Sequence, residues 1–280
     1  MGRGNGPKRP QVRIARTDCF FCGRTGKMTE EHVLPDWLNN LGYGGQGFRE
    51  YIRERPDVRI VQNGGPFSKT LKLACRACNT QWMSGMETDA KPVLLRLFNA
   101  GGRQAPLERP EQITLARWGF KTAAVLSQVV RPGGNFPLEH RLGFHDQDRI
   151  PDQAYVRIGT ASITQQPLGI QLGEAQFLPR EMTATIDDRP TTTFGLYFAR
   201  FRLLNVVFEV IGHTAPPTLE VAVDGDRALG LALLPLWPSK FETLWWPPTK
   251  SLDEIGGLDG LAQVPLVGIP TLNPGPGARP

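Results

Sequence analysis

Apolar positions change their period along the chain. From Met28 to Leu34 a short apolar–polar alternation predicts a strand, and Ser68 to Ala74 alternates well enough for a second. Between them Pro35-Asp36-Trp37-Leu38 begins a helix, with proline near its first turn. From Cys78 to about Leu97 the period lengthens: Trp82, Met86 and Ala90 fall four residues apart and would line one apolar helix face. A more strongly apolar helix is predicted from Pro110 to Val130, with Ile113, Ala116, Phe120 and Ala124 along one stripe and Gly133-Gly134 ending it. Beyond about residue 135 the texture becomes strand-like, in runs at 155–160, 168–172, 193–200, 204–211 and 228–236 between turn residues. Phe194, Leu196 and Phe198 alternate with Gly195 and Tyr197, as in a strand with one buried face.

This succession predicts an α+β chain in five parts. Residues 1–16 are a basic flexible arm, 17–104 a two-strand-plus-helix module, 105–134 a helical connector, 135–265 a β-rich accessory domain and 266–280 a disordered tail. The glycine-punctuated stretch 42–65 is an insertion, with a short helix expected around Arg49–Arg55. No internal repeat is present.

At 40% apolar residues, 280 residues can bury a real core, so the chain belongs to the globular class. No run of about 18 uncharged apolar residues occurs, which excludes a helical membrane span, and the basic N-terminus carries no apolar signal region. A cytoplasmic location is the resulting expectation. Charge is uneven: residues 1–103 hold 17 Lys/Arg against 9 Asp/Glu, and residues 104–280 hold 15 against 18. The basic half suits a polyanion such as DNA, because neutralised phosphates release condensed counterions; a solvated basic surface would look the same.

That half also holds all four cysteines, as Cys19-Phe20-Phe21-Cys22 and Cys75-Arg76-Ala77-Cys78. In a reducing compartment two such pairs point to metal, and four thiolates suit a tetrahedral structural Zn2+. Gly23-Arg24-Thr25-Gly26 supplies a knuckle turn after the first pair.

Between the pairs lies Glu30-Glu31-His32-Val33-Leu34-Pro35, and Asn79 follows the last cysteine. Phosphodiester hydrolysis needs a base for water and a cation for the phosphate. His32 titrates near neutrality and suits the first task; Glu31 or Glu30 offers hard oxygens for Mg2+. Adjacent strand residues face opposite ways, so Glu31 and His32 can serve one site only where the strand ends or bends, near Pro35. Singly, His32 as a packed histidine and Asn79 as a helix cap are ordinary roles. His140, His145 and His213 have no ligand spacing.

Together these residues resemble the HNH endonucleases, the ββα-metal superfamily, in its zinc-containing C-x-x-C subset. The resemblance covers residues 17–90, about a quarter of the chain, and Cys75 to Met83 also looks like a bacterial and phage subgroup with C-x-x-C-N-x-x-W-M. It implies a metal-dependent DNA endonuclease with His32 as general base, Glu31 and Asn79 as ligands of Mg2+ or Mn2+, and Cys19, Cys22, Cys75 and Cys78 as ligands of structural Zn2+. The products implied are 5′-phosphate and 3′-hydroxyl ends. Thr70 stands where the family's orienting Asn is expected, Glu31 where many members have Asp, and Asn79 where the commonest form has His. Glu30 and Glu87 are supporting candidates, Glu87 being better explained as a surface ion pair. The alternative is a non-catalytic zinc-knuckle module that binds DNA or protein; a third reading gives the work to the β-rich domain.

Overall fold

A helix that is apolar around its whole circumference has to be buried on every side. Residues 115–125 of the longest helix come close to that rule: Trp118, Phe120 and Ala124 are at 0% exposure, as is the charged Lys121, and Arg117 alone is half-buried. The computed structural model describes residues 17–41, 48–50, 59–61, 67–130, 136–163, 165–166, 169–170, 173–186, 189–216, 219–221, 227–258 and 270–272. The 1–16 arm, the centre of the insertion and most of the tail lie outside the described residues.

In chain order the first elements are β1 (Met28–His32), a 3-10 turn (Asp36–Asn40), β2 (Phe48–Glu50), β3 (Arg59–Val61) and β4 (Thr70–Cys75). A π-helical segment (Cys78–Met83) runs into α1 (Ser84–Phe98), followed by β5 (Ala105–Glu108), α2 (Arg109–Val130) and α3 (Leu138–Gln147). Next come β6 (Ala154–Thr160), β7 (Gln165–Gln166), β8 (Gly169–Ile170), β9 (Gly173–Ile186), β10 (Arg189–Leu203), β11 (Val206–His213) and β12 (Leu219–Val221). The last are α4 (Arg227–Ala232), β13 (Leu233–Trp237), β14 (Thr243–Trp246), a 3-10 turn (Leu252–Ile255) and β15 (Pro270–Leu272).

The fold is thus mixed α+β, with a five-stranded sheet in the order β13-β6-β11-β10-β9 and a separate pair β1-β4. All of these pairings are antiparallel. α2 lies between the two: it touches α1 on one side and β6, β9, β10, β11 and β13 on the other. Toward the sheet, Trp118 packs edge-on against Phe208 at 5.3 Å and Phe201 at 5.9 Å. Toward α3, Phe120 meets Phe144 at 4.8 Å. One continuous core therefore runs from Cys19 to Trp246 through the helix read as a connector.

Several expectations are corrected. Phe48–Glu50 is a strand paired with Arg59–Val61, so Arg49 and Glu50 do not begin a helix; residues 51–55 of that expected helix lie outside the described residues. Pro270–Leu272, within the tail, pairs with Leu219–Val221. The apolar run 228–236 is a helix turn followed by a strand, since such a run alone does not distinguish the two. β10 is buried on both faces: Tyr197 joins the core beneath α2, while Leu196 and Phe198 pack with Ile211 on the other side. On that second face Glu209 lies between Arg157 and Arg200, with its Oε1 accepting from Arg200 Nε at 2.8 Å. Burial pushes the Glu209 carboxyl up, but the two guanidiniums hold it below its ordinary value.

Candidate metal centre and the flanking histidine

The knuckle closes first. Gly23 takes a left-handed φ of +68°, its N–H donates to Cys19 O at 2.9 Å, and Thr25 Oγ1 donates to Asp18 Oδ1 at 2.7 Å across the turn. Phe20 N–H donates to Leu73 O at 2.8 Å, which brings the first cysteine pair beside the end of β4 and the second pair. The four Sγ atoms then lie within 4.8 Å of one another, and Cys22 and Cys75 are 3.7 Å apart. A tetrahedral ion with Zn–S bonds of about 2.3 Å requires sulfur–sulfur edges of about 3.8 Å, so the cluster fits Zn2+. Sulfurs this close compete for protons: hydrogen bonding from Cys78 pulls Cys19 down to about 4 and pushes Cys78 up.

α3 braces this cluster. Arg141 donates to Phe20 O and lies 4.2 Å from the Phe20 ring, and Trp82 sits 5.2 Å from Phe21 and 5.0 Å from Phe144. The Trp82 indole N–H donates to Asp148 Oδ1 at 2.8 Å. Met86 and Ala90 are buried below it, as the four-residue spacing predicts.

β1 pairs with β4 with a bulge between Thr29 and Glu30, so that Glu30 faces Lys72 and His32 faces Thr70. Glu31 turns inward and is 5% exposed. His32 turns outward, with 42% of its side chain exposed, and its Nε2 lies 3.8 Å from Asp36 Oδ1. Asp36 is in turn held by the Asn39 amide at 2.8 Å, and Asn39 Oδ1 accepts from Phe67 N–H at 3.0 Å. Sequence reasoning passed over Asp36; its spacing of four residues from His32 across Pro35 was the available signal.

Asn79 joins the helix to β1: its amide nitrogen donates to Glu30 O at 2.8 Å and Thr29 Oγ1 at 3.0 Å. Glu30 is exposed and 3.9 Å from Lys72 Nζ. Thr70 stands across the strand pair from His32, at its Cα-partner position. Glu87 is not a surface pair. Its Oε1 accepts from Lys121 Nζ at 2.7 Å, and the same ammonium is 3.8 Å from Glu31 Oε1. Lys121 is fully buried in α2. Burial pushes the Glu31 carboxyl up to about 7, with Lys121 opposing that shift.

Comparison of the chain with protein-family models, curated proteins and solved structures gives no match.

The site therefore has two faces. The outer face of β1 carries Glu30, His32 and, through the following turn, Asp36; the inner face carries Glu31 against Lys121. On the inner side of Glu31 the facing cation is the Lys121 ammonium, while the Asn79 amide nitrogen is committed to β1 and its Oδ1 is the atom that could meet an ion. Among the described residues, the four cysteines are the one convergent set of three or more His, Cys, Asp or Glu ligands.

Proposed function

We propose that residues 17–98 form an HNH-type module that hydrolyses phosphodiester bonds in DNA, with His32 as general base. The observation that carries this reading is the exposed His32 imidazole at the end of β1, backed by Asp36 on a hairpin that the cysteine cluster ties to the following helix. Asp36 on the Nε2 side leaves Nδ1 to meet the attacking water. Asn39 keeps that carboxylate in place. Zn2+, held by Cys19, Cys22, Cys75 and Cys78, would fix the frame and take no part in the hydrolysis. The excess of positive charge over residues 1–103 supports DNA as the partner.

By resemblance such a module uses Mg2+ or Mn2+, held by Glu31 and Asn79. Glu31 already faces the Lys121 ammonium, so no step is derived through the ion and metal dependence becomes a readout of the assay. The test is plasmid cleavage by the zinc-loaded full chain with Mg2+, with Mn2+ and without added ion, for wild type and His32→Ala. The pairing of Glu31 with Lys121 favours a second reading, a zinc-knuckle module that binds DNA or protein without catalysis. That reading expects no cleavage by either protein and retention of DNA or protein binding by His32→Ala.

A further inference from the structure

Three elements meet at one buried charge cluster. Glu31 comes from β1, Glu87 from α1 and Lys121 from the middle of α2. Lys121 has no exposed surface, and the Glu31 and Glu87 side chains are 6% and 21% exposed. A buried amine keeps its charge only where acceptors and opposite charges surround it. Here Glu87 accepts a charge-assisted hydrogen bond of 2.7 Å, and Glu31 supplies a second carboxylate at 3.8 Å. The ammonium thus sits among the oxygens that a Mg2+ or Mn2+ ion would need. Either ion demands several close oxygen ligands and would have to expel the ammonium or bear its repulsion in a poorly screened interior.

We propose that Lys121 is the resident cation of the Glu31–Glu87 pair: from α2 it takes up the inner side of Glu31, one of the two side chains that the HNH resemblance assigns to a divalent ion, and so excludes such an ion from the inner face of β1. The proposal holds whether or not residues 17–98 cleave DNA, because Mn2+ uptake and plasmid cleavage are separate readouts.

The test is Mn2+ titration of the zinc-loaded full chain, followed by the electron paramagnetic resonance signal of free Mn2+. Wild type and Glu31→Gln are expected to give the same binding curve. Lys121→Ala, which frees both carboxylates, is expected to gain one site binding Mn2+ at least about tenfold more tightly, and Glu31→Gln added to it should abolish that site. A Glu31-dependent Mn2+ site in wild type overturns the proposal, as does a folded Lys121→Ala protein without the gain. Should Lys121→Ala fail to fold, the comparison of wild type with Glu31→Gln decides: coincident curves support the resident lysine, and a site lost in Glu31→Gln overturns it.

Discussion

Glu31 and His32 are neighbours in the chain and stand on opposite faces of β1, Glu31 5% exposed beside Lys121 and His32 open to solvent beside Asp36. The strand does not bend enough before Pro35 to bring both side chains to one side. The inner carboxylate is thereby tied to the core, and the outer imidazole faces solvent.

Glu31 makes stability depend on pH in a defined direction. Its carboxyl is raised from 4.5 to about 7 in the fold, so its contribution is complete below about 4.5 and is lost as pH rises through about 7. The difference amounts to about 3 kcal/mol. Urea unfolding from pH 4.5 to 8 should show wild type losing about that much relative to Glu31→Gln. A constant difference across the range would contradict it.

His213 works in the opposite direction. Burial, and after it the neighbouring His140, push His213 from 6.5 down to about 4. Its contribution is present above about 6.5 and is lost as pH falls through about 4, again about 3 kcal/mol. Between pH 4.5 and 6.5 the two slopes oppose each other in wild type. Relative to wild type, Glu31→Gln should therefore tilt the stability curve upward with pH there and His213→Gln should tilt it downward; parallel curves for the two variants would refute both assignments.

Gly119→Ala tests how closely α2 meets the sheet. Alanine gains up to about 1 kcal/mol in helix propensity over glycine. The new Cβ, however, would stand 2.7 Å from Phe208 Cδ1, and that ring is stacked on Phe201 at 5.0 Å and has 0% exposure. Overpacking costs of about 1–3 kcal/mol should win. Chemical denaturation should show a less stable protein, and a more stable one would mean that the ring can yield.

Cys75→Ser removes one of four sulfurs from the cluster. The purified full chain should lose its bound zinc and the folded signal of residues 17–98, since metal binding and folding are coupled in such modules. Zinc content with circular dichroism reads both. A variant that keeps one tightly held zinc per chain would contradict the four-sulfur site.

Much of this was legible in the sequence because it is local. The C-x-x-C pairs, the strand at Met28–His32, the strand ending in Cys75 and the two long helices all follow from spacing and period. β9 was missed because Gln176, Pro179, Arg180 and Glu181 interrupt its apolar alternation, leaving pairing with β10 to define it. α3 was missed because its buried positions are His140 and Phe144, too few and too polar to mark a stripe. The Lys121 cluster was out of reach for a different reason: Glu31 and Lys121 lie far apart in sequence, and an isolated lysine in an apolar helix carries no sign of its partner. Asp36 fell in a turn, where periodicity says nothing.

The central claim is that the outer face of β1 does the chemistry, through His32. Single-turnover cleavage of a labelled DNA duplex, by zinc-loaded wild type and His32→Ala at matched zinc content and folded signal, tests it most directly. The account predicts cleavage by wild type and a rate lower by at least about a hundredfold in His32→Ala. Equal rates in the two proteins, or no cleavage by zinc-loaded wild type with Mg2+, with Mn2+ or without added ion, would contradict it.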